Sequence, residues 1–327
     1  MRNFIQEITI SNFKSIKKCK IDGFKRINLL VGRPNVGKSN ILEALASFTI
    51  PFLRENSSKK LSQLIRMESE TELFYNGDYK NPALIECENG FVRFTFSKTE
   101  GLLIKIFSDG DLGLYNVDEK LNVRFGKSER FEPSIRKYTF KSNVETKRSL
   151  SPYLNPPYGN NIFSIIEKDD QLKKEVLELF SEYRLNLVFD RASQSLKIMQ
   201  SEGNGEIFLV PYNSIADTLQ RIIFFKTAVA SNEDSVLLFE EPEAHSFPPY
   251  MSHITQEMIH KKNNQYFIAT HSPYILNDFL ENARDELAVF MVHYENHETS
   301  LRKLTDKELH EVYQLGVDLF TNSESYI

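Results

Sequence analysis

The stretch Ile27-Asn28-Leu29-Leu30-Val31-Gly32-Arg33-Pro34-Asn35-Val36-Gly37-Lys38-Ser39-Asn40-Ile41-Leu42-Glu43-Ala44-Leu45-Ala46 decides the fold. Residues 26–31 are an apolar run rich in β-formers, which predicts a buried strand. Residues 40–46 predict a helix. Between them, Gly32 to Ser39 has the form G-x-x-x-x-G-K-S, in the strand–loop–helix setting that a phosphate-binding loop requires. Triphosphate oxygens need many donors at close range. The glycines let the backbone turn its N–H groups inward, and the following helix adds the positive end of its dipole. Lys38 is expected to reach the β- and γ-phosphates and Ser39 to ligate magnesium. Gly32, Arg33, Asn35, Val36, Gly37 and Asn40 complete the expected cradle. The cofactors expected are ATP and Mg2+.

Two more stations follow. Val236-Leu237-Leu238-Phe239-Glu240-Glu241-Pro242-Glu243 is a buried apolar strand ending in acids. Downstream of a phosphate loop, Glu240 is expected to orient magnesium and Glu241 to hold the attacking water as general base. Tyr266-Phe267-Ile268-Ala269-Thr270-His271-Ser272-Pro273 is a second buried strand ending in a polar cluster. His271 there can hydrogen-bond the γ-phosphate or the water. Alone, the acids would read as a solvated loop and the histidine as a packing residue. The loop upstream tips both towards chemistry.

Around these motifs, strands are expected over 4–10, 84–88, 91–97 and 102–107, with turns between them. Residues 127–160 look loop-like. A charged amphipathic helix is expected over 170–183, a hairpin from 185–190 and 195–200, and a strand over 206–210. Then helices (215–230, 249–261, 274–281) alternate with strands (235–239, 266–269, 287–294). Alternation of this kind implies a mainly parallel sheet covered by helices. No heptad run supports a coiled-coil arm.

The three stations, in this order, resemble the ABC-type ATPase heads of the RecF, SMC and overcoming-lysogenization-defect group. That group opens with a strand like Ile10-Ser11-Asn12-Phe13-Lys14-Ser15-Ile16. Its acidic station is similar to Glu240-Glu241-Pro242-Glu243-Ala244-His245, and its switch strand to Thr270-His271-Ser272-Pro273. The resemblance implies an α/β, P-loop head with a mixed, mainly parallel sheet, an antiparallel β lobe and an inserted helical and loop lobe. It implies one head over residues 1–327, with its core from 1–50 and 205–327 and the inserted lobe at about 51–204. It implies that Lys14 touches nucleotide phosphates, and that ATP is sandwiched in a head-to-tail homodimer or higher homo-oligomer. The group usually has Asp where Glu240 stands. Its signature, S-D-G at a helix start, is met here only by the glycine-free segment around Ser214, Asp217 and Thr218, the residues expected to meet a partner's γ-phosphate. Both departures point to slow turnover with binding retained. The nuclease region of overcoming-lysogenization-defect enzymes is not expected here. The chain also looks like stand-alone ATPases of phage-defence operons, which implies a separately encoded effector, a nuclease or toxin. A RecF-like DNA-repair ATPase and a regulatory scaffold with little hydrolysis are the alternatives.

Composition bounds the rest. The 327 residues carry 40 Lys and Arg against 45 Asp and Glu, for a net charge of −5, so nothing global attracts DNA or RNA. Cys19 and Cys87 match no metal spacing, and a reducing cytoplasm is expected. No apolar stretch is long enough for a membrane span. Lys14, Lys17, Lys18, Lys20, Lys25 and Arg26 read mainly as a solvated strand face. Lys127, Arg130, Arg136, Lys137 and Lys141, interleaved with Phe131, Tyr138 and Phe140, read as surface, with single-stranded nucleic acid as the sharper alternative.

Overall fold

Residues 27–31 are buried on both faces, which a strand achieves only inside a sheet covered on both sides. The computed structural model that shows this describes residues 4–126, 131–201, 206–246, 248–322 and 326. The chain opens with a hairpin, β1 (Glu7–Phe13) and β2 (Ile16–Asp22), then β3 (Ile27–Val31) and α1 (Lys38–Ala46). Five strands follow: β4 (Ala83–Cys87), β5 (Gly90–Ser97), β6 (Gly101–Ser108), β7 (Asp111–Val117) and β8 (Val123–Arg124). β9 (Ile135–Tyr138), α2 (Ile162–Lys168) and α3 (Asp170–Glu182) lead to β10 (Asn186–Asp190), β11 (Ser195–Ser201) and β12 (Ile207–Pro211). The last third alternates through α4 (Asp217–Ser231), β13 (Val236–Glu240), α5 (Pro248–His260), β14 (Gln265–Ala269), α6 (Pro273–Asn282) and β15 (Leu287–Glu295). It ends with β16 (Glu298–Lys303) and α7 (Asp306–Leu315).

The core sheet has the order β16-β15-β3-β14-β13-β9, parallel throughout except for β16 at one edge. Its side chains alternate between two cores. Leu30, Leu238, Phe267, Phe290 and Val292 pack with α1 and the antiparallel strands, whereas Leu29, Phe239, Ile268, Val289 and Met291 pack under α4, α5 and α6. The fold is therefore α/β: a mixed, mainly parallel sheet with helices on one face and an antiparallel sheet over α1 on the other. That second sheet runs β2-β1-β4-β5-β6-β7-β8, and β10-β11-β12 form a third, smaller one.

The sheets cross the expected boundaries at 50 and 204. The N-terminal hairpin leaves the core sheet and pairs with β4. β9 comes from a stretch expected to be loop, yet it runs parallel to β13. Its charges hid it. Arg136 and Lys137 are buried, not on a surface for nucleic acid. The Arg136 guanidinium lies 3.6 Å from the Tyr153 ring centroid, and Lys137 pairs with Glu240. Phe131 and Tyr138 are buried too, and Lys127 and Arg130 lie outside the described residues. The N-terminal basic run is largely paired. Lys20 meets Glu7 at 2.7 Å, Lys25 meets Asp306 at 3.2 Å, and Arg26 is buried against Glu286 and donates to the Met258 carbonyl at 2.7 Å. Among the described residues no helix is long and apolar enough to cross a membrane.

Asn232, fully buried, ties β9 to the helical layer. It accepts from Arg136, donates to the Tyr138 hydroxyl at 2.9 Å and to the Ala228 carbonyl at 2.7 Å, and its own carbonyl accepts from Asn264 at 2.8 Å. Asn232→Ala strands several buried polar groups and is expected to cost roughly 2–4 kcal/mol. Urea unfolding measures this, and a loss below about 1 kcal/mol would show that β9 is held by other contacts.

Candidate nucleotide site

Three neighbouring parallel strands end at one level, so the residues just past them meet. β3 delivers the loop Gly32 to Ser39, β13 delivers Glu240 and Glu241, and β14 delivers Thr270 and His271. A cavity of about 400 Å³ opens there, lined by Lys14, Pro34, Asn35, Gly37, Lys38, Ser39, Asn40, Arg66, Glu241, Ala269 and His271. The other expected cradle residues stand behind it. The carbonyls of Gly32 and Arg33 accept from Lys38 Nζ at 2.8 and 2.7 Å. Val36 packs against the core, and its carbonyl accepts from Thr299 Oγ1 at 3.0 Å.

The loop rests on a floor that sequence reading missed. Thr299 lies on β16, and its hydroxyl is 2.6 Å from that of Ser15, which also accepts from Asn40 Nδ2 at 2.6 Å. A Cβ on Gly37 would sit 2.1 Å from Thr299 Oγ1, and Gly37 has φ 100°, so both space and backbone demand glycine.

Burial pulls the Lys38 ammonium down to about 8, against the opposing pull of Glu241 and Glu243. Burial alone would raise the Glu240 carboxyl, but Lys137, a hydrogen bond with Ser39 and Arg66 hold it below the ordinary range. Ser39 and Glu240 thus stand together as hard oxygen donors, the kind magnesium accepts alongside phosphate oxygens and water. They fit that ion, although both Glu240 oxygens already face cations: Arg66 Nη2 at 3.2 Å and Lys137 Nζ at 3.1 Å. Among the described residues no cluster of three or more His, Cys, Asp or Glu could hold a metal by itself.

Glu241 sits at φ 44°, a left-handed backbone uncommon for a side-chain-bearing residue, and its N–H donates to the Ala269 carbonyl at 2.8 Å. Its Oε1 lies 3.7 Å from His271 Nε2. Burial and then Lys38 push the His271 imidazole below its ordinary range, with Glu241 opposing. Glu243 was the unassigned acid of the motif. It is half-buried, and one oxygen accepts from Thr270 Oγ1 at 2.6 Å and from the His271 N–H at 2.8 Å. It fixes where His271 stands. Lys14 faces the cavity and is held by Glu43 at 2.6 Å.

Ser214, Asp217 and Thr218 do not line this cavity. Ser214 ends a 3-10 turn just before α4, and Asp217 and Thr218 open the helix. Asp217 pairs with Arg221 at 2.8 Å, and Thr218 Oγ1 donates to the His245 carbonyl at 3.2 Å.

Residues 27–277 match the family model described as "AAA domain, putative AbiEii toxin, Type IV TA system". The chain belongs to this AAA family. Over 94% of its length the AAA-family chain is 24% identical to a Septu protein PtuA of Bacillus mycoides, covering 43% of that protein. A 41-residue stretch is 56% identical to an ATP/GTP phosphatase of Helicobacter pylori, covering 12% of this chain and 11% of that one. Another, of 67 residues, is 33% identical to the DNA replication and repair protein RecF of Caldanaerobacter subterraneus, covering 20% and 18%. The chain spans less than half the length of each of these relatives.

The Lys38 value makes a proton part of binding. A lysine with a pKa near 8 when free, and fully charged against phosphate, takes up about half a proton at pH 8 and almost none below pH 7. Calorimetry of ATP binding in two buffers of different ionisation heat reads this uptake. A value near zero at pH 8 would mean that the free ammonium is already charged.

Proposed function

We propose that this AAA-family chain is an ATP-driven switch. It binds ATP with magnesium above Gly32 to Ser39, hydrolyses it slowly, and pairs with a second copy around the nucleotides. In that state it controls a separately encoded effector, a nuclease or toxin, in cytoplasmic anti-phage defence.

The observation that carries the reading is the meeting of Glu241, His271 and Lys38 at the mouth of one cavity. Lys38 faces phosphate charge. Ser39 and Glu240 would hold magnesium, which supplies charge for the phosphate oxygens when bound. Glu241, exposed and beside His271, is placed to accept a proton from water. Ser214, Asp217 and Thr218 lie outside the chain's own cavity, which suits contacts made across a dimer. The Thr218–His245 hydrogen bond links that helix start to the loop carrying Glu241. The family description, which names a Type IV TA system, supports a partner encoded apart. The PtuA likeness over nearly the whole chain agrees with the defence setting that the resemblance to stand-alone ATPases implies.

A second reading, a nucleotide-binding scaffold with little hydrolysis, is favoured by the two cations on Glu240. Glu241→Gln decides between them. It is expected to keep ATP binding, to lose hydrolysis by about 100-fold, and to shift the protein towards dimer with ATP in light scattering. Hydrolysis at the parent rate would put the base elsewhere. Undetectable parent turnover with intact binding would leave the scaffold.

A further inference from the structure

Five side chains alternate in charge across the site. Lys14 Nζ meets Glu43 Oε2 at 2.6 Å, and Arg66 Nε meets Glu43 Oε1 at 2.7 Å. Arg66 Nη2 meets Glu240 Oε1 at 3.2 Å, and Lys137 Nζ meets Glu240 Oε2 at 3.1 Å. Glu43 is fully buried and joins the two cations of one end.

The two cations on Glu240 differ in freedom. The Arg66 side chain is 64% exposed and can swing into water. Lys137 cannot. It is fixed on β9 opposite Leu238, so it shares a sheet face with Leu238 and Glu240, and its residue is only 4% exposed. Its Nζ finds one carboxylate, Glu240, and one carbonyl, Leu64, at 3.4 Å. A buried ammonium without its counter-charge is strongly unfavourable, so Lys137 has nowhere better to go. A divalent ion binding the same carboxylate must share it with a charge already there, and the two repel at short range.

We propose that Lys137 is a resident counter-cation of the magnesium site, which lets the chain hold nucleotide with little magnesium and weakens the hold on magnesium itself. The inference rests on the nucleotide reading of the cavity. It assigns to β9 a positioning role that sets metal dependence, separate from the roles of Lys38 and Glu241.

The test compares the parent with Lys137→Met and Lys137→Arg, using a non-hydrolysable fluorescent ATP analogue in excess Mg2+ and in EDTA. The quantity read is the ratio of the two dissociation constants. In the parent the metal-free constant is expected to lie within about tenfold of that with Mg2+. Lys137→Met loses the resident charge, so metal-free binding weakens, half-saturation by Mg2+ falls, and the ratio rises by about tenfold or more. Lys137→Arg keeps the charge and the parent ratio. A purely structural role would shift both constants together and leave the ratio alone; that outcome, or a smaller ratio in Lys137→Met, overturns the proposal. If Lys137→Met unfolds in a urea control, the parent decides: a metal-free constant more than about 100-fold weaker than that with Mg2+ overturns the proposal, and one within tenfold supports it. Lys38→Ala separates the two readings, since it should abolish binding in both buffers. A parent that binds in neither buffer defeats the nucleotide reading and this inference with it.

Discussion

The parallel pairing of β3, β14 and β13 is the constraint on which the site depends. Leu29 lies opposite Ile268, and Phe239 is paired with that same Ile268, so the three strands finish level with one another. A slip of one residue would turn every side chain to the opposite face, burying Glu240 in the wrong core and pointing Leu238 and Phe267 at the wrong layer. The double burial of these strands makes such a slip costly, and the precision of the site is inherited from that cost. The loop, the acids and His271 need no mutual recognition to find one another. They are brought together because the apolar residues behind them fit only one way.

Charge then decides what the assembled site can do. The cavity gathers Lys14, Lys38 and Arg66 at its walls, with Lys137 just beneath, and their partners are the carboxylates of Glu43, Glu240 and Glu241. Each acid has a different environment. Glu43 is wholly enclosed by Lys14 and Arg66, Glu240 is shared between that same Arg66, Lys137 and Ser39, and Glu241 stays in water beside His271. Similar side chains therefore acquire different environments by burial and neighbours.

The parts of this that were legible in sequence are those carried by local signals. The loop announces itself by spacing, and β13 and β14 by uninterrupted apolar runs ended by polar residues. The strands over 84–107 were visible as runs broken by turn residues. Invisible were the elements whose meaning is tertiary. β9 carries Arg136 and Lys137 and looks polar until Tyr153, Asn232 and Glu240 are seen around it. β16 is short and polar, and only the loop resting on Thr299 shows its use. Arg66 sits 28 positions beyond Lys38 in a stretch of short 3-10 turns, with no periodicity to mark it. Glu243 stood in plain view, but only the distances to Thr270 and His271 show that it holds the end of β14 in place.

The floor beneath the loop has a consequence for how the molecule is made. Ser15, Asn40 and Thr299 close one hydrogen-bonded cluster, yet they are separated by up to 284 positions in the chain. A ribosome emits the phosphate-binding motif early and its support late. Until residue 299 emerges, a nascent chain carries the motif without the surface that holds Val36 and Gly37 in place. The supported loop therefore forms only after residue 299 has been made, long after the motif itself.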